Sequence, residues 1–193
     1  MDTKTYNDYV SLLEEHLSEY RVFHSKCVAK SAKRLAEKYG GDPEKAYTAG
    51  LLHDIMKEAN ESDTSEFCDR YGIALTTLEK RAPKLWHAIT GSVYVRSVLG
   101  ITDPEIIMPI RYHTTGRAGM ELCEKILFIA DFISADRDYD DVDVMREKAE
   151  KSLEEAMLYG LGYTIDELAQ RRRAIHPDTI AAYNDIILGG KNG

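Results

Sequence analysis

The chain has 193 residues, 44% of them hydrophobic and 30% charged, enough to bury one sizeable core and to set the expectation of a single domain. A formal net charge of −8 excludes wrapping around a nucleic-acid polymer, because such proteins carry a broad positive field. Cys27, Cys68 and Cys123 are far apart and form no C-x-x-C pair, so neither a disulfide framework nor a zinc knuckle is expected and a reducing cytoplasm fits. No basic-then-apolar signal pattern opens the chain, and no apolar run approaches the roughly 20 residues that cross a bilayer, so no membrane partner is expected.

Hydrophobic spacing is helical almost everywhere. Tyr6, Tyr9, Val10 and Leu13 form an exposed-looking apolar mix, a weak pointer to a homodimer. Phe23, Cys27, Ser31, Leu35 and Tyr39 recur at fourfold spacing before Gly40-Gly41, which predicts a helix with a left-handed exit. Asp42-Pro43 supplies an N-cap and a first-turn proline for a helix that runs through Leu51 and Leu52 to His53-Asp54. Asp63-x-x-Glu66 reads as a capping-box-like start of a short helix stopping at Gly72. After Pro83 a longer helix is expected through Trp86, His87, Val93 and Val98 to Gly100. Asp103-Pro104 repeats the N-cap arrangement, and Pro109 should kink or shorten the helix carrying His113. Residues 122–133 read as a buried helix with Asp131 inside it, and residues 142–159 as a charged amphipathic helix. Thr164-x-x-Glu167 reads as the capping box of a helix ending at Arg171, Arg172 and Arg173, and His176-Pro177 begins the last one. No segment alternates with period two over a strand's length. The expected fold class is all-α, one domain over 1–193 with the helices of 142–193 included.

Four of the six histidines join two aspartates in an ordered series: His24, His53, Asp54, His87, His113, Asp131. Imidazoles and carboxylates without cysteine suit Fe, Mn or Zn in a catalytic centre better than a structural zinc clip. Helix neighbours point about 100° apart, so His53 and Asp54 can share a metal only near a helix end or with Asp54 reaching between ions, which favours Asp54 as a bridging carboxylate. Six such ligands make a two-metal site feasible, and two ions suit phosphoryl transfer. Plainer readings stand beside these. His24 shares a face with Cys27, Val28 and Ser31 and could be a core histidine; Asp131, in an apolar run, could be neutralised by Arg137 alone. Lys57, four residues after His53, could hold phosphate or be a solvated helix-end lysine, and the three arginines at 171–173 could be only a cationic helix terminus. Neither a G-x-x-x-x-G-K-[ST] loop nor a G-x-S-x-G elbow is present.

The series, with GLLHDIMK at 50–57, WHAITG at 86–91, HTTG at 113–116 and KILFIADFISADR at 125–137, resembles the HD-domain metal-dependent phosphohydrolases. Among them it is most similar to the bacterial YqeK family of symmetrical diadenosine tetraphosphate hydrolases. Matching blocks run from His24 to Arg137, with a weaker echo at 174–179 and 182–184. The resemblance implies an HD-domain helical bundle around a metal centre and hydrolysis of diadenosine tetraphosphate, a small nucleotide partner, to two ADP. It implies a divalent metal, Fe as one or two ions, with Mn, Co, Ni and Zn as alternatives. On this resemblance His24, His53, Asp54 and Asp131 hold the first ion, and His87 and His113 either hold a second or contact phosphate. Asp54, Lys57, His87 and His113 then carry catalysis, while His24, Lys57, His87, His113, Thr114, Asp131, Arg137, Arg173 and His176 bind substrate. The competing readings are another nucleotide phosphohydrolase, acting on nucleoside di- or triphosphates or cyclic nucleotides, a di-iron oxygenase with the same ligand series, and a nucleotide sensor with a vestigial site.

Overall fold

A computed structural model of the chain describes residues 3–189, so the extreme ends of the 1–193 span, and the first residues of the segment read for a signal pattern, lie outside the described residues. Eleven α-helices and one 3-10 turn follow in order, with no strand among the described residues. They are α1 Thr3–His16, α2 Glu19–Tyr39, α3 Pro43–Leu52, α4 Glu61–Tyr71, α5 Thr77–Lys80, a 3-10 turn Pro83–Leu85, and α6 Trp86–Ser97. After them come α7 Pro104–Tyr112, α8 Leu122–Ile133, α9 Val142–Lys151, α10 Leu153–Gln170 and α11 Pro177–Ile187.

Local chemistry fixes several of these boundaries. Gly40 ends α2 at φ +79°, a conformation that costs glycine nothing. The Asp42 carboxylate accepts from the Glu44 and Lys45 amides, and Asp103 caps α7 in the same way through Glu105. α8 is apolar around most of its circumference and buried throughout Ile126, Leu127, Phe128, Ile129 and Ala130, as a helix at the centre of a bundle must be. α2 packs on α3 and α8; α7 packs on α3, α6 and α8; α9 and α10 cover another side of α8, and α11 lies on α10. Gly50 allows the closest of these approaches, since a Cβ there would stand 2.7 Å from the Ala29 Cα. Backbone therefore meets backbone between α2 and α3, which brings their metal-ligand candidates together.

Several sequence expectations are corrected. Phe23 is 56% exposed, and the buried side of α2 runs through Val22, Val28, Ala29, Ala32, Leu35 and Ala36. A strict fourfold ladder drifts by about 40° per step around a helix of 3.6 residues per turn, so Phe23 and Leu35 cannot share one core face. Leu13 is fully buried and Tyr6 and Tyr9 pack against the core, so the apolar face of α1 is used within the chain and gives no argument for a homodimer. α4 starts earlier than expected because Asn60, not Asp63, is its N-cap, accepting from the Asp63 amide at 2.8 Å. The amphipathic stretch from 142 breaks at Ser152, whose extended backbone ends α9 and whose hydroxyl caps α10 through the Glu155 amide. α10 then continues past Thr164, which caps nothing: its hydroxyl donates to the Gly160 carbonyl one turn back at 2.9 Å. α5, opened by a Thr76–Glu79 capping box, had no counterpart among the sequence expectations. α7 contains Pro109 and is short, with His113 at its C-cap. No helix among the described residues is long and apolar enough to cross a membrane.

Candidate metal centre

α3 stops at Leu52, leaving His53 at its C-cap. α7 stops at Tyr112, leaving His113 in the same position. Each imidazole uses Nδ1–H to donate to the carbonyl three residues back, Gly50 for His53 and Ile110 for His113, both at 2.8 Å. Carbonyls in a last helical turn lack intrahelical partners, so these bonds form without cost to the helix. They also fix the tautomer: Nε2 of each ring presents a lone pair to the interior.

Those lone pairs converge on Asp54, which is buried beneath the α3 terminus. Asp54 Oδ2 lies 3.5 Å from His53 Nε2, and Oδ1 lies 3.6 Å from His113 Nε2 and 3.2 Å from His87 Nε2. His87 enters from the first turn of α6, its Nε2 3.1 Å from that of His113. At the other end, α2 and α8 bring His24 Nε2 to 3.1 Å from Asp131 Oδ1. The rings form a chain, His24 to His53 at 5.4 Å, His53 to His113 at 5.0 Å, and His113 to His87 at 5.1 Å between centroids. Two sets of ligand atoms result, His24, His53 and Asp131 in one and His53, Asp54 and His113 in the other, with His53 in both. Asp54 and Asp131 thus stand in different sets, and His87 borders the second.

Buried atoms without partners test whether a cation fits. His53 Nε2 and Asp54 Oδ1 are buried with no hydrogen-bond partner, and His24 Nε2 meets only the Asp131 carboxylate, although buried polar atoms are almost always satisfied. Their chemistry, imidazole nitrogen and carboxylate oxygen, is that of divalent metal ligands. The electrostatics agree. Burial pushes His53 down to about 4, leaving its nitrogen unprotonated and free to coordinate. Burial, reinforced by His113 and Lys57, holds His87 well below its ordinary range. Burial alone would raise Asp54, but its basic surroundings outweigh burial and hold the carboxyl well below its usual range, with Lys57 bringing a full positive charge beside it. Asp131 follows the same pattern, with the His24 contact and the Arg137 guanidinium overcoming its burial.

Cations flank both ends. Lys57 donates to His87 Nε2 at 3.0 Å and stands 3.4 Å from Asp54 Oδ1, even though the α3 helix does not continue to it. Tight turns over residues 53–58 carry it instead, through the Ile55 amide to Leu52 and the Lys57 amide to Asp54. Arg137 pairs with the Asp131 carboxylate through its terminal nitrogen and donates from Nε to the Asp131 carbonyl at 2.8 Å. The Asp–Arg pair and the His24 contact therefore coexist at Asp131. The Thr114 hydroxyl is buried without a partner. Arg173 is exposed between α10 and α11. His176 caps α11 and lies 3.5 Å from Glu79, whose carbonyl accepts from Trp86 beside His87.

Two contacts escaped the sequence reading. Asp136 Oδ2 accepts from His24 Nδ1 at 2.7 Å and is nearly fully buried. Arg21, one turn before His24 on α2, reaches Asp54 Oδ2 at 3.3 Å. Burial alone would lower His24, yet Asp131 and Asp136 on its two nitrogens hold its pKa above the ordinary value. A helical i, i+3 relation marks Arg21 as a neighbour of His24, whereas nothing local relates Asp136 to a residue 112 positions earlier.

The HD-domain family model matches residues 21–136. The symmetrical bis(5'-nucleosyl)-tetraphosphatase of Bacillus subtilis (strain 168) is 33% identical over 180 residues, 93% of this chain and 96% of that protein. Its counterpart from Halalkalibacterium halodurans is 36% identical over 182 residues, covering 94% and 97%. The crystal structure of a predicted HD superfamily hydrolase involved in NAD metabolism from Clostridium acetobutylicum aligns with a TM-score of 0.92 at 36% identity, covering 95% of this chain and 97% of that one. With the ligand series, the all-helical fold and these relatives in agreement, the chain belongs to the HD-domain family, in the group formed by the symmetrical bis(5'-nucleosyl)-tetraphosphatases.

Proposed function

We propose that this protein hydrolyses dinucleoside polyphosphates, cleaving diadenosine tetraphosphate symmetrically into two ADP. The observation that carries the reaction class is the pair of ligand sets sharing His53, bordered by Arg21, Lys57 and Arg137. The substrate comes from the relatives, whose full lengths the chain nearly matches. HD-domain hydrolases use divalent metals, and we assign Fe as the ion, held by His24, His53 and Asp131 with Asp54 reaching in from the neighbouring set, and a second ion drawing on His113 and His87. On the same reading the chain is one HD-type domain, α9 to α11 included, working in the cytoplasm.

A metal bound there supplies an activated water and neutralises charge on phosphate oxygens. The protein's own groups do the rest. Asp54, kept ionised by its surroundings, attracts the cation. Lys57 spends one N–H on His87 and leans on Asp54, which leaves it a further donor for a phosphate oxygen. Arg21 uses one terminal nitrogen on Asp54, so most of its five donors remain for substrate. These fixed cations offset the charge that develops on the oxygens during P–O cleavage.

The test is metal analysis of anaerobically purified protein followed by product analysis with diadenosine tetraphosphate. Two ADP per substrate is expected. ATP plus AMP, absence of turnover across Fe, Mn, Co, Ni and Zn, or stoichiometric oxygen consumption would each defeat the reading.

A further inference from the structure

Beside the His87 end of the ring chain lies a cavity of about 380 Å³, a size in the range of small-molecule sites. Its inner wall is Lys57, His87 and Arg21, the groups that contact Asp54; its outer walls are Trp86, Lys84 and Met56. In a chain of net charge −8, three cations gathered around one opening select an anion. Two of them face the metal centre. The third, Lys84, is exposed and has no ion pair among the described residues.

The remaining wall is not what a bare phosphate needs. Trp86 is partly buried, and its indole N–H donates to the Glu79 carbonyl at 2.6 Å, which locks the ring orientation. Met56 is nearly buried beside it. A fixed aromatic ring next to an apolar floor offers a heterocyclic base a stacking surface with little ordering cost. Glu61 also lines the cavity, and a carboxylate there can accept from ribose hydroxyls while repelling a phosphate. Polyphosphate at Arg21 and Lys57, with base and sugar further out, is the order of groups that this lining matches.

We propose that this cavity is the subsite for one nucleoside diphosphate half of the substrate, with Trp86 and Lys84 recognising the outer part of that half. The proposal rests on the phosphohydrolase reading and deepens it. The His24 end, where Arg137 holds Asp131, lies at the opposite end of the ring chain and is left for the other half. A substrate with a nucleoside at each end would then lay its middle across the metal centre, and a chain ending in bare phosphate would forgo the Trp86 contact.

Trp86 is the single tryptophan of the chain, so its fluorescence reports on the cavity alone. Metal-loaded protein titrated with ADP should show saturable quenching, and inorganic tripolyphosphate, which lacks a base, should inhibit hydrolysis without comparable quenching. Lys84→Glu should raise the ADP dissociation constant and the KM for diadenosine tetraphosphate about tenfold, as expected for losing one charge-assisted contact and adding repulsion. ADP that inhibits competitively while Trp86 emission stays unchanged would overturn the proposal, as would a Lys84→Glu variant with both constants unaltered. Quenching that Lys84→Glu weakens, in a protein that cleaves no dinucleoside polyphosphate, would sustain the nucleotide subsite and defeat the assigned reaction, so the two failures are distinct.

Discussion

Asp136→Ala is the most informative perturbation of the metal centre, because it touches no metal ligand set and still changes how one ligand is held. In the structure the carboxylate accepts from His24 Nδ1 at 2.7 Å with 2% of the side chain exposed. That bond fixes the ring so that Nε2 faces Asp131 and the cavity. A hydrogen bond to a charged group contributes about 1.5–3 kcal/mol, and losing an outer-shell partner of a metal-bound histidine typically costs about 10–100-fold in affinity, which is roughly 1.4–2.8 kcal/mol. One effect opposes this loss. Asp136 also helps keep a proton on His24 in the metal-free protein, and binding must displace that proton from Nε2, so removing Asp136 makes the displacement easier. The net expectation is about a tenfold loss of metal affinity, read by competition with a chromophoric chelator. Asp136→Asn retains an acceptor of the same reach and should fall within about threefold of the wild type, since orientation is preserved and only charge is lost. An alanine variant with wild-type metal affinity would refute the argument; an asparagine variant as poor as alanine would show that charge rather than ring orientation is what Asp136 supplies.

Asp54→Ala should abolish both metal retention and hydrolysis while circular dichroism stays helical; full metal content in the variant would remove Asp54 from the centre. Lys57→Ala should keep its metal and lose about 10² in kcat/KM from one missing charge-stabilising donor, and Lys57→Arg should recover little because a planar guanidinium does not fit the 3.0 Å contact to His87. Wild-type kinetics in the alanine variant would make Lys57 a bystander. Gly50→Ala places a methyl group 2.7 Å from backbone of α2 and should destabilise the fold by about 1–3 kcal/mol through overpacking, measured by urea denaturation; an unchanged midpoint would mean that α2 and α3 can separate freely.

Helix boundaries were legible where a cap is built from side chains adjacent in sequence. Asp42-Pro43 and Asp103-Pro104 announce α3 and α7 because carboxylate and proline act on amides two or three residues away. The failures share a cause. Thr164 and Glu167 have the spacing of a capping box, but a capping box needs an extended residue at its head, and α10 arrives at Thr164 already helical because Ser152 nucleated it twelve residues earlier. Competing starts of this kind are settled by packing against α8 and α9, which a local pattern does not contain. The same holds for α1, where Leu13 is core only because the rest of the bundle closes over it.

In the metal centre, the adjacency of His53 and Asp54 posed the geometric problem that two neighbours on a helix diverge. The helix solves it by ending: with His53 at the C-cap and turns following, Asp54 is freed from helical direction and lies 3.5 Å from the His53 ring nitrogen. Ordered ligands could be read from sequence because each is a residue type with a coordinating atom. Their supports could not, since Arg21 and Asp136 are common charged residues whose meaning depends on contacts 33 and 112 positions away. Electrostatics explains why such supports must exist all the same. A buried Asp54 and a buried His24 are each costly when isolated, so a chain that buries both must bring opposing charges to them from somewhere, and the acidic average of the sequence conceals that its cations Arg21, Lys57 and Arg137 are spent at one place.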